Sequence, residues 1–186
     1  MASSKVLEAV KEGKQALAKF RATNPTVLLD LTEADLKGTD LRGMNLRRAL
    51  LVGAKLARAD LSGANLSEAD LTRASLKFAN LSRADFRKAN LFKALLGESN
   101  AAEADFSRAN LNSCELSKAK LTRAVFLEAD LNNAQLNDAT VLGADFSLAR
   151  FAGTHAARLT CGWTRWSNCD LSQVIGLETA THRGPS

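Results

Sequence analysis

The sequence has few of the residues that mark catalytic sites or membrane segments. Its 186 residues include no tyrosine, two prolines and two histidines, with 46% hydrophobic residues, which is typical of one soluble domain. No apolar run approaches the roughly 18 residues that a membrane-spanning helix needs. The start of the chain, Met1 to Lys11, lacks the basic start, long apolar middle and cleavage site of a signal peptide. We therefore expect a cytoplasmic protein without a membrane segment.

Enzyme motifs are also missing. The sequence contains neither Gly-x-x-x-x-Gly-Lys-Ser/Thr nor Gly-x-Gly-x-x-Gly, the glycine patterns that bind nucleotides. No serine has a plausible base partner, and catalysis needs polar groups that converge in a concave pocket. The sequence therefore predicts a protein that is not an enzyme, with no catalytic residue, no cofactor and no small-molecule substrate.

A five-residue period runs through most of the chain. Every fifth residue from Leu31 to Leu171 is apolar and, with few exceptions, large: 24 of these 29 positions are Leu or Phe. Two residues before each of them lies a second series of mostly smaller residues, which is Ala at 20 of 29 positions. One such unit cannot bury its own apolar side chains and must stack on its neighbours. Neither a helix nor an ordinary strand has this period, so each unit is predicted to be a short extended segment followed by a turn.

The spacing of the aromatic residues predicts how many units complete one coil. Twenty residues separate successive members of one series, namely Phe86, Phe106, Phe126, Phe146 and Trp166. Identical faces should carry like residues, so four units are expected per coil, giving roughly seven coils. The rings are then expected to stack in one column, which we call the aromatic ladder. The wall that carries it is the ladder wall.

Strings such as Ala59-Asp60-Leu61-Ser62-Gly63 resemble the repeat of the pentapeptide repeat proteins. The resemblance covers about three quarters of the chain and implies that family's all-β solenoid, a right-handed quadrilateral β-helix. Its handedness is implied by the resemblance alone. The family is functionally diverse; its best known members look like DNA and protect a type II topoisomerase from quinolones. The fold therefore does not decide the function.

The termini are expected to cover the open ends of the coil. Residues 1–27 are predicted to form an N-terminal capping α-helix, from Ser4 to about Ala22, and a linker; a basic amphipathic membrane binder is the alternative. The β-helix is expected over 28–172, with Trp163 and Trp166 in a closing layer. Residues 173–186 are predicted to be a polar tail without further core. The tail also resembles junctions to further signalling or effector domains in larger family members.

The three cysteines all fall on inward positions of the repeat. Cys114, Cys161 and Cys169 are therefore expected to be buried, reduced thiols that fill space. A metal site built from Cys161, Cys169 and His155 matches no known ligand spacing, so no metal is predicted. The Asp and Asn residues that precede many large residues are expected to bond backbone at the corners.

Function is then expected on the outer walls. One candidate for an anionic partner is a cationic cluster on the ladder wall, comprising Arg47, Arg48, Arg87, Lys88 and Arg108. One candidate for protein contact is an apolar patch lower on that wall, comprising Val125, Leu127, Leu142 and Leu148. A second apolar group comprises Phe78, Phe92 and Leu95. A solvated face is the alternative interpretation of the cations, and scattered exposed leucine is normal on any surface.

These observations favour a non-enzymatic scaffold or recognition module for protein–protein contacts. Its expected partner is an unknown protein or a second copy of the chain, in a homodimer, and a longer signalling or defence protein is one setting for it. The alternative is a topoisomerase (gyrase)-modulating or DNA-associated protein. A net charge of +5 argues against imitation of DNA, and interspersed acidic residues argue against nucleic-acid binding.

Overall fold

The chain winds into a coil. Except near its end, the bridged residues pair with residues twenty positions further along the chain. The structure is a computed structural model that describes residues 4–184. Parallel bridges run from Asp30↔Leu50 to His155↔Ile175. Neighbouring coils are hydrogen-bonded in the same register, as where the Leu31 N–H donates to the Leu50 carbonyl at 2.8 Å. Twenty residues are four five-residue units, so the wall count expected from the aromatic spacing agrees with this pairing.

Each unit consists of one bridged residue, one large inward residue, a two-residue turn and one small inward residue. The second turn residue has a left-handed backbone, with φ of 60° at Glu68 and 58° at Arg73. The side chain of the bridged Asp or Asn accepts the backbone N–H two residues on, as from Ser62 to Asp60 at 2.9 Å and from Ser67 to Asn65 at 3.0 Å. These bonds explain why short polar residues recur at that position.

The core is a continuous column of small and large residues inside the coil. The aromatic ladder lies within it, with centroid distances of 4.9 Å for Phe86–Phe106, 4.9 Å for Phe106–Phe126, and 4.7 Å for Phe146–Trp166. Planes of successive rings differ by 6° to 13°. This separation matches the spacing of hydrogen-bonded strands, because each ring is carried by one coil.

Two helices, not one, cover the first coil. α1 spans Ser4–Lys11 and α2 spans Lys14–Thr23, so the prediction of a single helix is wrong. Gly13 separates them: its φ of 105° is incompatible with a continuous right-handed helix. The buried side chains of Val6, Val10 and Leu17 join the core of the coil. Within residues 4–184, no helix combines the length and apolar character needed to cross a membrane.

The end of the chain also differs from the sequence-based expectation, because pairing continues beyond Leu171. A two-residue strand, β1 (Thr160–Cys161), pairs in parallel with β2 (Thr181–His182), and a short 3-10 helix spans Leu177–Thr179. Three half-buried side chains of this segment pack against the core: Val174, Leu177 and Ala180. The five-residue pattern hid this extension because Gly176 stands where a large residue would be. Residues 1–3 and 185–186 of the predicted terminal segments lie outside the described residues.

Candidate functional site

The interior of the coil offers no site, because apolar side chains fill it. Within residues 4–184, no group of three or more His, Cys, Asp or Glu side chains is placed to hold a metal ion. One polar side-chain atom in the described part of the chain, Ser99 Oγ, is buried without a hydrogen-bond partner. It lies at a position that most units fill with alanine, so it is a substitution in the packing column. Candidate sites must therefore lie on the outer walls.

The cysteines are free, and two of them are buried. The Cys114 thiol donates to the Leu91 carbonyl at 2.7 Å, and burial raises the pKa of Cys114 to about 12. Cys161 lies beside His182, with 3.3 Å between Sγ and Nδ1. The structure therefore places Cys161 beside the last strand. Within residues 4–184 it does not bring Cys161, Cys169 and His155 together as a metal site. Cys169 is half-buried and its Sγ is 2.8 Å from the Phe146 carbonyl oxygen.

The predicted cationic cluster is largely neutralised by neighbouring carboxylates. Glu68 accepts from both Arg47 and Arg48 at 2.6 Å, and these bonds lower the pKa of Glu68 to about 2. Two further arginines are paired in the same way, Arg87 with Asp85 at 2.7 Å and Arg108 with Glu128 at 3.0 Å. Among the described residues, no carboxylate lies within 4.0 Å of the Lys88 amine. The cluster therefore presents little net charge to an anionic partner.

The predicted apolar patch contains one exposed side chain and three half-buried ones. Leu148 is 48% exposed, whereas Val125, Leu127 and Leu142 are intermediate. Val125 lies in the bridged column between Asp105 and Asp145. Ion pairs border the patch, with 2.7 Å between Arg165 and Asp145 and 3.0 Å between Arg108 and Glu128. An apolar centre with a polar rim is the usual composition of a protein–protein interface.

Leu148 occupies a position that is unfavourable for leucine in the isolated fold. Its φ is 62°, in the left-handed region, where a Cβ atom costs about 1 kcal/mol relative to glycine. Its exposed surface gains nothing from the core. The fold alone would be served by glycine, as at the equivalent corner of Gly153 on the neighbouring wall.

Trp163 is an exposed aromatic residue that the sequence interpretation placed in a closing layer. It is 63% exposed, has φ of 52° and lies at the opposite corner of the ladder wall from Leu148, one coil further along. Its ring covers Gly184, where an added Cβ would lie 2.5 Å from Trp163 Cζ2. Trp163 follows the inward Cys161 by two residues, and side chains at that position of the repeat face outward. Trp166 instead stacks on Phe146 and is half-buried.

Another wall carries the second apolar group. Phe78 is 47% exposed and Leu95 is 38% exposed, while Phe92 is half-buried. Phe78 is also at a left-handed corner, with φ of 61°. The two apolar groups therefore lie on different walls and form separate candidate surfaces.

Solved structures of pentapeptide repeat proteins resemble this chain. One is HetL, involved in heterocyst differentiation regulation in the cyanobacterium Nostoc sp. strain PCC 7120: it is 27% identical over 81% of each chain, with a TM-score of 0.51. Rfr23 from the cyanobacterium Cyanothece 51142 is 28% identical over 50% of this chain and 63% of that chain, with a TM-score of 0.49. QnrB1, a plasmid-mediated fluoroquinolone resistance protein, is 18% identical over 83% of this chain and 89% of that chain, with a TM-score of 0.34.

The five-residue repeat identifies the protein family. No curated protein sequence matches the chain. The family described as pentapeptide repeats matches with eight copies, within residues 30–67, 49–87 and 89–126, which together make up more than half of the chain. The bridges between residues twenty apart give the same coil from the structure. The chain belongs to the pentapeptide repeat family.

Proposed function

We propose that the protein is a non-enzymatic recognition module that binds another protein through the lower ladder wall. The binding surface comprises Val125, Leu127, Leu142 and Leu148. The observation that carries this proposal is Leu148, a half-exposed leucine in a left-handed corner. Both its backbone conformation and its exposure oppose folding stability, so a contact outside the fold is the best reason for it.

The likeness to HetL supports a regulatory role. HetL is described as involved in the regulation of heterocyst differentiation, and it has the same repeat over 81% of its length. Regulation by a filled coil without a converging polar pocket is best served by its walls. Binding to a regulatory protein is therefore the class of function that we assign to this chain.

The size of the patch limits the strength of the contact that it can make. Covering the exposed half of one leucine stabilises a complex by about 1 kcal/mol. The four side chains together therefore supply about 3 kcal/mol, whereas a micromolar complex needs about 8 kcal/mol. The contact must extend to the bordering ion pairs and to Trp163, the exposed aromatic residue on the same wall.

The test replaces two leucines by aspartate. In Leu127→Asp/Leu148→Asp, we expect loss of self-association in sedimentation velocity and loss of partners captured by the wild-type chain. Asn133→Asp is the matched control, because it places a carboxylate at an equivalent left-handed corner, φ 59°, on another wall. Unchanged sedimentation and unchanged capture in the double variant would overturn the proposal.

The same preparation distinguishes the alternative drawn from the sequence, a topoisomerase-modulating or DNA-associated protein. We expect no effect of the protein on supercoiling by gyrase, with or without a quinolone. An effect that the Leu127→Asp/Leu148→Asp variant retained would replace our proposal by that alternative.

We also propose, from the family resemblance, that the coil is right-handed with about seven turns. Handedness decides on which side of the patch Trp163 lies when the wall is seen from outside, and so where a partner would meet it. An experimental density map in which the chain turns the other way would refute it.

A further inference from the structure

A second surface lies on the wall whose bridged column contains Lys55, Ser75, Leu95 and Glu115. Two hydrogen bonds show how its apolar residues are arranged. The Phe78 N–H donates to the Gly97 carbonyl at 3.1 Å, and the Arg73 N–H donates to the Phe92 carbonyl at 2.9 Å. Leu95 therefore lies between the corner of Phe92 and the position beside Phe78. We call these three apolar side chains and the surrounding cations the Leu95 surface.

Gly97 makes the centre of the Leu95 surface flat. It has no side chain to fill the space beside Leu95, and Glu115 reaches across it to Lys77, with 3.3 Å between Oε2 and Nζ. An added Cβ at Gly97 would lie 2.6 Å from Glu115 Oε1. The ion pair therefore forms one polar edge of a flat apolar area.

Four of the five cations around this surface are unpaired among the described residues, unlike most of those on the ladder wall. Besides Lys77, they are Lys55, Arg58, Arg73 and Lys93, all of which are exposed. Among the described residues, none of these four has a carboxylate within 4.0 Å. Glu115 is paired with Lys77, and Glu98 is the other nearby acid, so five positive charges surround the apolar area against two negative ones. Electrostatic complementarity therefore favours an acidic partner.

The aromatic rings of the surface do not offer open faces. The Arg58 guanidinium carbon lies 5.2 Å from the centre of the Phe78 ring, and the Lys93 amine lies 5.1 Å from the centre of the Phe92 ring. Nucleic-acid bases bind aromatic residues by stacking on such faces, so this arrangement does not favour them. Leu95 is only 38% exposed at the centre of a flat wall, which gives it little reach into a lipid layer.

We propose that the Leu95 surface binds an acidic polypeptide segment that also carries apolar side chains. Its carboxylates meet the cations at the rim, and its apolar side chains cover Leu95 and the edges of the two phenylalanine rings. This is a second binding surface, distinct from the lower ladder wall, and it assigns a partner chemistry that the first surface does not have.

The test uses two fluorescent peptides of equal length and charge, one of alternating glutamate and leucine, the other of alternating glutamate and serine. We expect the chain to bind the glutamate–leucine peptide in fluorescence anisotropy at physiological salt, and to bind the glutamate–serine peptide about tenfold more weakly. Equal affinity for the two peptides would show that the surface binds them by general charge attraction alone, and would overturn the proposal.

Two variants locate the binding on the chain. Phe78→Gly/Leu95→Ser should weaken binding of the glutamate–leucine peptide about tenfold, while its thermal unfolding stays close to wild type, because glycine suits the left-handed corner. Leu148→Gly is the matched control on the ladder wall and should bind this peptide normally. Unchanged affinity in the first variant, or equal loss in the second, would refute the site.

Two further probes test the class of partner. Vesicles with anionic phospholipid and a DNA duplex, at the same salt, should compete poorly with the glutamate–leucine peptide. Either probe competing as well as unlabelled peptide, with the same dependence on Phe78 and Leu95, would overturn the choice of a polypeptide. Phe78 and Leu95 lie outside the lower ladder wall. A negative result in these experiments therefore does not affect the proposal that the lower ladder wall binds a protein.

Discussion

The aromatic ladder allows the energy of one ring–ring contact to be separated from burial. Phe106 is fully buried, with a ring 4.9 Å away on each side, those of Phe86 and Phe126. Phe86 is equally buried, but the same column holds Leu66 in the preceding coil, so it stacks on one ring only. Phe106→Leu therefore removes two stacked pairs, whereas Phe86→Leu removes one.

The expected difference follows from that count. A stacked pair contributes about 0.5–1.5 kcal/mol beyond the area that it buries. Both substitutions remove the same atoms from fully buried positions, so burial and cavity effects largely cancel between them. We therefore expect Phe106→Leu to lower the free energy of unfolding by about 1 kcal/mol more than Phe86→Leu does.

Urea unfolding followed by circular dichroism measures these free energies. In the double variant Phe86→Leu/Phe106→Leu, the pair between the two rings is lost only once. The combined loss should therefore be smaller than the sum of the single losses, by about 1 kcal/mol. Strict additivity, or equal losses in the two single variants, would show that the rings contribute through burial alone.

Three other expectations follow from single positions. Ser99→Ala should raise the free energy of unfolding by about 1 kcal/mol in the same urea assay, because it removes a buried hydroxyl that has no partner among the described residues; a loss of stability would contradict this. The half-buried Cys169 thiol should react with a thiol reagent before Cys114, which is fully buried and has a pKa of about 12; faster modification of Cys114 in a mass-spectrometric time course would refute the packing. The carboxyl of Glu68 should titrate near pH 2 in NMR spectra, since Arg47 and Arg48 lower its pKa. Because folding lowers that pKa, the stability that it contributes is present above the unfolded-state pKa and is lost as the pH falls through about 2. A titration midpoint near pH 4 would contradict the pairing of Glu68 with the two arginines.

The coil could be predicted from the sequence because its inward positions obey packing alone. A column with one large and one small side chain per unit accepts little besides leucine, phenylalanine and alanine, so Leu66 and Ala64 carry the period directly. The twenty-residue spacing of Phe106 and Phe126 gave the pairing register for the same physical reason. Positions that must fit a neighbour in the next coil repeat.

Two parts of the fold did not follow from the pattern. Gly13 ends α1 through its backbone conformation, although the apolar residues on either side continue the helical spacing. Gly176 lets the chain pass close to Ala157, where an added Cβ would lie 2.9 Å from the alanine Cβ. In both places a glycine changes the backbone path, which a rule based on side-chain size does not detect.

The outer walls were only partly predictable. The repeat places Glu128 twenty residues after Arg108, so their ion pair could have been found from the register alone. The exposed fractions within the apolar patch could not be predicted in this way. Leu127 and Leu148 both lie in turns, and they differ only in that Leu127 is the first turn residue and Leu148 the second. Side chains that face water are constrained by their neighbours and not by the period.

The left-handed corners show how residues required by the fold can be separated from residues that serve something else. At these positions the backbone favours glycine, and water favours polar side chains. The described corners are occupied mostly by Gly, Arg, Lys, Glu, Asn, Asp and Ser, and three carry large apolar residues: Phe78, Leu148 and Trp163. Each is more than 45% exposed, so neither the backbone nor the core accounts for it. Where local preference and global fold disagree, a function is the expected cause. Each of the two proposed surfaces lies at one of these corners.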